Sequence, residues 1–122
     1  MSSPRLYIDF LEDIGSAAEK AMAFLGDMAL ADFATDEKTC FAVIRALEII
    51  GEATKRVPQE IRNRYPDVPW RSMAGIRDKL IDDYLTINQE VVWKTVREDL
   101  PGLLVMIRNM IADYKKETTS TP

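Results

Sequence analysis

The sequence predicts an all-α fold, and three observations support this prediction. Apolar residues recur at steps of three and four along most of the 122-residue chain, which is the period of one helix face. No segment shows the sustained alternation of apolar and polar residues that is typical of a half-buried strand. Prolines and helix-capping residues divide the apolar pattern into about five segments. We therefore expect an up-down helical bundle, organised as a single domain over residues 1–116.

The first predicted helix extends from about Pro4 to Met28. Its apolar residues form one stripe: Leu6, Phe10, Leu11, Ile14, Ala17, Ala18, Ala21, Phe24, Leu25 and Met28. The clear stripe is lost between Ala29 and Thr35. Because the side-chain oxygen of Thr35 or Asp36 can accept a hydrogen bond from the first turn of a helix, we expect the second helix to begin after one of these residues.

The second predicted helix carries a stripe of large apolar residues: Phe41, Ile44, Leu47, Ile50 and Val57. Pro58 either ends this helix or opens a short third helix, from Pro58 to Arg64, because a proline in the first turn loses no needed hydrogen bond. Gly51 lies inside the second helix, where glycine costs about 1 kcal/mol relative to alanine. Its presence predicts that another backbone passes close to this point.

The segment from Tyr65 to Trp70 contains two prolines and is predicted to be a loop. A fourth helix is expected from about Trp70 to Tyr84. Met73, Ile76, Leu80 and Ile81 can pack inward on this helix, whereas four charged residues would remain outside: Arg77, Asp78, Asp82 and Asp83.

Asn88 is a suitable cap for the fifth predicted helix. Pro101 and Gly102 are expected to break or kink this helix before its stripe continues to about Lys116. Residues 117–122 include no large apolar residue, so we expect a frayed tail there.

The composition limits the possible chemistry. The chain has 16 basic and 20 acidic residues, a net charge of −4, which argues against a protein held to nucleic acid by bulk electrostatic attraction. It has no histidine, the residue whose pKa best suits proton transfer at neutral pH and the commonest transition-metal ligand. Its one cysteine, Cys40, has no partner for a disulfide or a metal site, and we expect it to be buried.

No signal peptide or membrane span is expected. The first 15 residues lack the continuous apolar run of a signal peptide, and apolar stretches such as that from Leu103 to Ile107 are too short to cross a bilayer. We therefore expect a cytoplasmic protein that does not enter the membrane.

A row of charged residues follows one face of the second predicted helix: Arg45, Glu48, Glu52 and Lys55. Steps of three, four and seven residues return to nearly the same direction on a helix. The row is either a solvated series of ion pairs or the polar lining of a cleft or subunit interface. A metal site is the weakest interpretation, because two carboxylates flanked by cations and lacking histidine bind transition metals poorly.

Several segments together resemble the HepT toxins, which are ribonucleases of the HEPN fold. The matching segments are Ile49-Ile50-Gly51-Glu52-Ala53, Tyr65-Pro66-Asp67-Val68-Pro69-Trp70, and then Arg77, Leu80, Tyr84 and Val92-Trp93. The family signature is an arginine, four residues, a histidine, one residue and a tyrosine. Arg77 matches the arginine and Tyr84 matches the tyrosine, but Asp82 stands in the place of the histidine.

The resemblance implies a metal-independent endoribonuclease that needs no cofactor, in which two subunits of a homodimer form an RNA cleft. Cleavage by the neighbouring 2′-hydroxyl needs a base for that hydroxyl, an acid for the leaving 5′-oxygen and a cation for the phosphate. The guanidinium of Arg77 can be the cation, because it stays charged and can bind two phosphate oxygens. A histidine at position 82 would transfer the protons, an effect worth ~10²–10⁴-fold in rate.

Asp82 is expected to weaken or abolish this activity. An aspartate with an ordinary pKa of about 3.9 is ionised at neutral pH and has almost no proton to donate. A carboxylate about 4 Å from a phosphate also costs roughly 4 kcal/mol at an effective dielectric of about 20, which is near three decades of rate. On a straight helix Asp82 lies about 140° round from Arg77. We therefore expect either that the helix ends near Asp82 or that a partner subunit completes the site.

Tyr84 has two interpretations. It is either an amphipathic residue that closes a helix, or the modified residue that the resemblance implies. HepT toxins are neutralised by MntA-type nucleotidyltransferase antitoxins, which transfer AMP from ATP to the motif tyrosine. This modification would block the cleft with bulk and negative charge. The alternative for the whole chain is a non-catalytic module that binds a nucleotidyltransferase partner.

Overall fold

The computed structural model describes residues 6–80 and 87–119, and the elements in these ranges are helical. The three long helices are α1 (Tyr7–Leu25), α3 (Glu37–Arg56) and α8 (Leu100–Thr119). The shorter helices are α2 (Leu30–Thr35), α4 (Gln59–Arg64), α5 (Trp70–Ala74), α6 (Ile76–Leu80) and α7 (Gln89–Lys94). The predicted all-α bundle is confirmed, with more short helices than the sequence pattern indicated.

The core lies where α1 packs against both α3 and α8. Its fully buried side chains come from all three long helices and from the shorter ones, and include Leu11, Ile14, Leu47, Ile50, Leu80, Val92, Ile107 and Met110. Burial of each such side chain stabilises the fold by roughly 1.5–3 kcal/mol. Three members of the predicted stripes, Leu6, Phe24 and Phe41, are exposed instead. All three lie at or near a helix end, where a stripe has fewer neighbouring elements to cover it.

The predicted helix caps agree with the structure. The Asp36 carboxylate accepts a hydrogen bond from the Thr39 amide at 3.0 Å, and this bond holds the pKa of Asp36 below its usual value. The Asn88 side chain accepts one from the Val91 amide at 3.2 Å. Pro58 occupies the N-cap position of α4, so the short third helix is also confirmed.

The connection between α1 and α3 is more ordered than its weak pattern indicated. It contains α2, whose Phe33 is fully buried. The carbonyl oxygen of Met28 accepts hydrogen bonds from the Trp93 indole at 2.9 Å and from the Arg97 guanidinium at 2.8 Å. The same guanidinium lies 5.5 Å from the centre of the Trp93 ring. These contacts hold the segment that follows α1 against the helical segment that begins with α7.

Pro101 and Gly102 do not break the helix, so the first of the two outcomes expected there, a break, is wrong. The chain remains helical from α7 into α8 through a π-helical segment, Thr95–Asp99, and the Leu100 amide donates to the Thr95 carbonyl five residues earlier. Proline lacks an amide hydrogen and its ring crowds the preceding turn, and a wider turn relieves that crowding. α8 then continues to Thr119, three residues past the expected helix end at about Lys116, and Arg64 donates to Glu117 at 2.6 Å.

The predicted fourth helix is interrupted. A turn at Gly75 separates α5 from α6, consistent with the low helix propensity of glycine. Met73, Ile76 and Leu80 are buried as predicted, whereas Arg77 is exposed. The predicted continuation to Tyr84 lies outside the described residues.

Candidate active site

Gly51 brings the two halves of the candidate site together. A Cβ atom at this position would lie 3.0 Å from Cγ2 of Ile76 and 3.4 Å from the carbonyl oxygen of Met73. The prediction that another backbone passes close to Gly51 is therefore confirmed. The passing backbone belongs to α5, and the Ile76 side chain places the start of α6, next to Arg77, against the same point of α3.

Arg77 is paired with a carboxylate of α3. Its Nε atom lies 3.9 Å from Oε2 of Glu48, which is three residues before Gly51. The Arg77 side chain is 70% exposed, whereas that of Glu48 is 26% exposed. The Arg77 guanidinium therefore lies at the long end of ion-pair distance from Glu48, while most of the arginine remains open to solvent and to an anionic ligand.

The predicted polar row on α3 contributes one further residue to this arrangement. Nη1 of Arg45 lies 4.0 Å from Oε1 of Glu48, so the carboxylate lies between two guanidinium groups. Glu52 and Lys55 are exposed on the same helix, and in the described part of the chain neither forms an ion pair. Arg45 and Glu48 thus form an ion pair, as the interpretation of the row as a solvated series expects, and the lining of a cleft or subunit interface stays a prediction.

This cluster has the chemistry of an anion site. Two guanidinium groups and one carboxylate leave one net positive charge, and Arg77 retains free hydrogen-bond donors for a phosphate. Exposed ion pairs of this kind add only about 0–1 kcal/mol to stability, so stability alone does not account for them. Within the described residues the cluster contains no group suited to donating a proton at neutral pH.

Two predicted site residues, Asp82 and Tyr84, lie outside the described residues. Among the residues that are described, no group of three or more histidine, cysteine, aspartate or glutamate side chains is placed to hold a metal ion. Cys40 is buried as predicted, and its burial raises the pKa of the thiol. No helix in the described ranges is both long and apolar enough to cross a membrane.

The sequence did not indicate which partner would hold Arg77. Glu48 and Arg77 are 29 positions apart, and only the packing of α6 on α3 brings them together. The one sequence feature that indicated this region was Gly51. This glycine lies one turn from Glu48, at the place where the segment that carries Arg77 approaches α3. Arg62 was also missed: it donates to the Thr54 and Val57 carbonyls at 2.8 and 3.0 Å and thereby caps the end of α3.

A family model described as "Ribonuclease HepT-like" matches residues 14–110, which is most of the chain and includes Gly51, Glu48 and Arg77. The chain belongs to the HepT-like ribonuclease family. The resemblance to HepT proteins drawn from the sequence is thus confirmed. The matched range also contains Asp82 and Tyr84. The aspartate therefore lies within the part of the chain that the family model covers.

Individual relatives agree with this assignment. A Thermococcus cleftensis protein named "Probable ribonuclease HepT" is 50% identical over 99 residues, covering 81% of this chain and 90% of the relative. A Methanocaldococcus jannaschii protein that is named as an RNase is 44% identical, covering 88% of this chain and 89% of the relative. A Caldanaerobacter subterraneus protein, also named as an RNase, is 36% identical and is matched over its whole length. No solved structure gave a significant match.

Proposed function

We propose that this chain is the toxin component of a toxin–antitoxin pair, a HepT-type endoribonuclease for cytoplasmic RNA whose own activity is weak or absent. The observation that carries the proposal is the position of Arg77. It lies in the segment matched to the family, is mostly exposed, and is held beside α3 by Glu48. A guanidinium that is both oriented and accessible suits the binding of a phosphate at which charge develops.

The chemistry of the proposed reaction is metal-independent. The 2′-hydroxyl attacks the adjacent phosphorus, the P–O5′ bond breaks, and the two protons pass through a general base and a general acid. Arg77 stabilises the phosphate charge in this scheme. Position 82 is the proton-transfer site, and with aspartate there the leaving oxygen has no ready proton donor at neutral pH.

Regulation and assembly follow from the family resemblance. We propose that the chain acts as a homodimer, and that an MntA-type nucleotidyltransferase antitoxin places AMP on Tyr84. The added phosphate would repel RNA from a cleft whose attraction for phosphate depends on a few guanidinium groups. Mass spectrometry of the chain after co-expression with that antitoxin tests this step: a mass increase located on Tyr84 supports it, and an unmodified Tyr84 contradicts it.

Restoration of the histidine is the main test of the proposed activity. We expect Asp82→His to raise the rate of RNA cleavage by about 10²-fold or more over the original chain and to inhibit growth on expression. Adding Arg77→Ala to Asp82→His should remove most of this gain. Arg108→Ala is the matched control, because it removes one exposed arginine of α8 that pairs with Glu19 of α1. The proposal fails if Asp82→His gains no activity, or if Arg77→Ala and Arg108→Ala have equal effects.

A non-catalytic module that binds a nucleotidyltransferase is the second candidate. The observation that favours it is the absence of any histidine from the chain, so that no other imidazole can take over proton transfer from position 82. If this candidate is correct, both the original chain and Asp82→His should co-purify stably with the nucleotidyltransferase, and neither should cleave RNA. Cleavage by the Asp82→His chain would exclude a purely binding role for the scaffold.

A further inference from the structure

A second polar surface lies beside the Gly51 crossing, at which Ala74 is one of the contacting residues. It is a groove of about 490 Å³ between α4 and α5. The groove is lined by Gln59, Arg62, Asn63, Pro66, Trp70, Arg71 and Ala74. Two of these residues are arginines and none is acidic, in a chain whose net charge is −4. Exposed Glu60 and Asp67 lie nearby in sequence but do not line the groove.

Arg71 is the accessible cation of this groove. It is exposed, and among the residues that the structure describes it has no carboxylate at ion-pair distance. Arg45, Arg64, Arg77 and Arg108 differ from it, because each of them pairs with a glutamate. An exposed guanidinium without an internal counter-charge is available for an external anion, and binding need not first break an ion pair.

The rest of the groove is held in place before any ligand binds. The Arg62 guanidinium is fixed by its two hydrogen bonds to the carbonyls at the end of α3. Gln59 donates to the Asn63 side chain at 2.9 Å. The buried Trp70 ring is oriented by its hydrogen bond to the Tyr65 carbonyl at 3.0 Å. A ligand therefore meets a preformed surface, which lowers the entropic cost of binding.

The groove adjoins the Arg77 site through Ala74. Ala74 lines the groove, and its carbonyl oxygen lies 3.7 Å from the position of a Cβ at Gly51. Ile76, which precedes Arg77, contacts the same point. Arg71 lies on α5 and Arg77 on α6, on either side of the turn at Gly75, so they suit different phosphates of one strand.

We propose that this groove binds the RNA backbone next to the cleavage site, with Arg71 contacting a phosphate adjacent to the one at Arg77. The inference rests on the proposed ribonuclease function and extends its substrate site from one phosphate to at least two. RNA is favoured over an acidic peptide because Ala74 of the groove and Ile76 beside Arg77 contact the same point at Gly51, which places the groove next to the Arg77 site. The amides of Gln59 and Asn63 add donors and acceptors of the kind that contact sugars and base edges.

The salt dependence of binding tests the proposal. Each phosphate contact with single-stranded nucleic acid contributes about 0.7 to the slope of log K against log salt concentration. We would measure binding of a labelled single-stranded RNA by fluorescence anisotropy between about 50 and 200 mM salt. The original full-length chain serves for this measurement, because binding does not require cleavage. Arg71→Gln should lower the slope by about 0.7, so that the affinity change over this range shrinks by about 2.6-fold.

Three further variants complete the experiment. Arg71→Lys keeps the charge and should keep the slope, Arg77→Gln should lower it, and Arg108→Gln is the matched control that should leave it unchanged. If Arg77→Gln lowers the slope and Arg71→Gln does not, the groove is not part of the RNA site although the proposed function stands. If Arg71→Gln lowers the slope but Asp82→His gains no cleavage, the groove binds RNA and the ribonuclease proposal fails. Absence of RNA binding by the original chain, or binding of a polyglutamate peptide with an equal dependence on Arg71, overturns the inference.

Discussion

Replacement of Gly51 by alanine tests the close crossing that positions Arg77. The added Cβ would lie 3.0 Å from Cγ2 of Ile76 and 3.4 Å from the carbonyl oxygen of Met73. Carbon atoms in ordinary contact are about 3.5–4.0 Å apart. The Ile76 side chain, or the segment that carries it, must therefore move away from α3 by a few tenths of an ångström.

Two opposing terms set the size of the effect. Alanine gains about 1 kcal/mol over glycine inside a helix, which stabilises α3. Overpacking of a tight contact costs about 1–3 kcal/mol, and Ile76 is buried, so it has little room to adjust. We expect Gly51→Ala to lower the free energy of unfolding by about 0–2 kcal/mol. For a domain of this size, 1 kcal/mol corresponds to about 4 °C in Tm, so Tm should fall by up to about 8 °C.

Gly102→Ala is the matched control. Gly102 also lies inside a helix, but no atom lies within 4 Å of a Cβ at that position. This variant should show only the helical gain, with Tm raised by up to about 4 °C. Thermal unfolding followed by circular dichroism measures both variants, and the difference between them isolates the packing conflict. If Gly51→Ala raises Tm as much as Gly102→Ala does, the inferred crossing is not tight and the reasoning is refuted.

Three further predictions concern other contacts. Glu48→Gln, made in the Asp82→His chain, should lower kcat for RNA cleavage about three- to tenfold, because Arg77 loses orientation. KM should not rise, because a carboxylate that repels phosphate is removed. A higher KM with unchanged kcat in steady-state assays would contradict this. Arg62→Ala should reduce the free energy of unfolding by about 1–3 kcal/mol in urea titrations, because two carbonyls lose a charged donor; no change would show that water replaces the guanidinium. The lowered pKa of Asp36 means that its stabilisation is present above about pH 4 and is lost as pH falls through that lowered pKa. The Tm difference between the original chain and Asp36→Asn should therefore shrink in acid, and a constant difference would rule out this contribution.

The features that were predictable from the sequence are those set by local chemistry. Asp36 caps α3 because its own side chain reaches an amide three residues away, and Asn88 does the same for α7. The crossing at Gly51 was predictable for a related reason. A helix-interior glycine is costly, so its presence indicates that something outside the helix requires the missing side chain.

Other features depend on contacts between distant segments and left no local signal. The pairing of Glu48 with Arg77 requires the packing of α6 on α3, and a charge row on α3 alone is equally consistent with a solvated surface. Of the break or kink expected at Pro101, the break did not occur, because the effect of a proline also depends on how the neighbouring turns adjust. The surrounding helix instead accommodated it by widening the turn at Thr95–Asp99, while Trp93 and Arg97 anchored that region to the Met28 carbonyl.

In the proposed function, the fold and the chemistry of this chain depend on different residues. The chain can therefore belong to the family and still have lost its activity. The bundle is maintained by its buried apolar side chains and by the Gly51 crossing, all at described residues. Arg77 pairs with Glu48 of α3 in a chain whose sequence already carries the aspartate. Under the proposed function, that aspartate removes the proton donor while the pair of Arg77 with Glu48 is retained. A single substitution that restores the donor should then be sufficient to restore cleavage, because the groups that bind phosphate need no rebuilding.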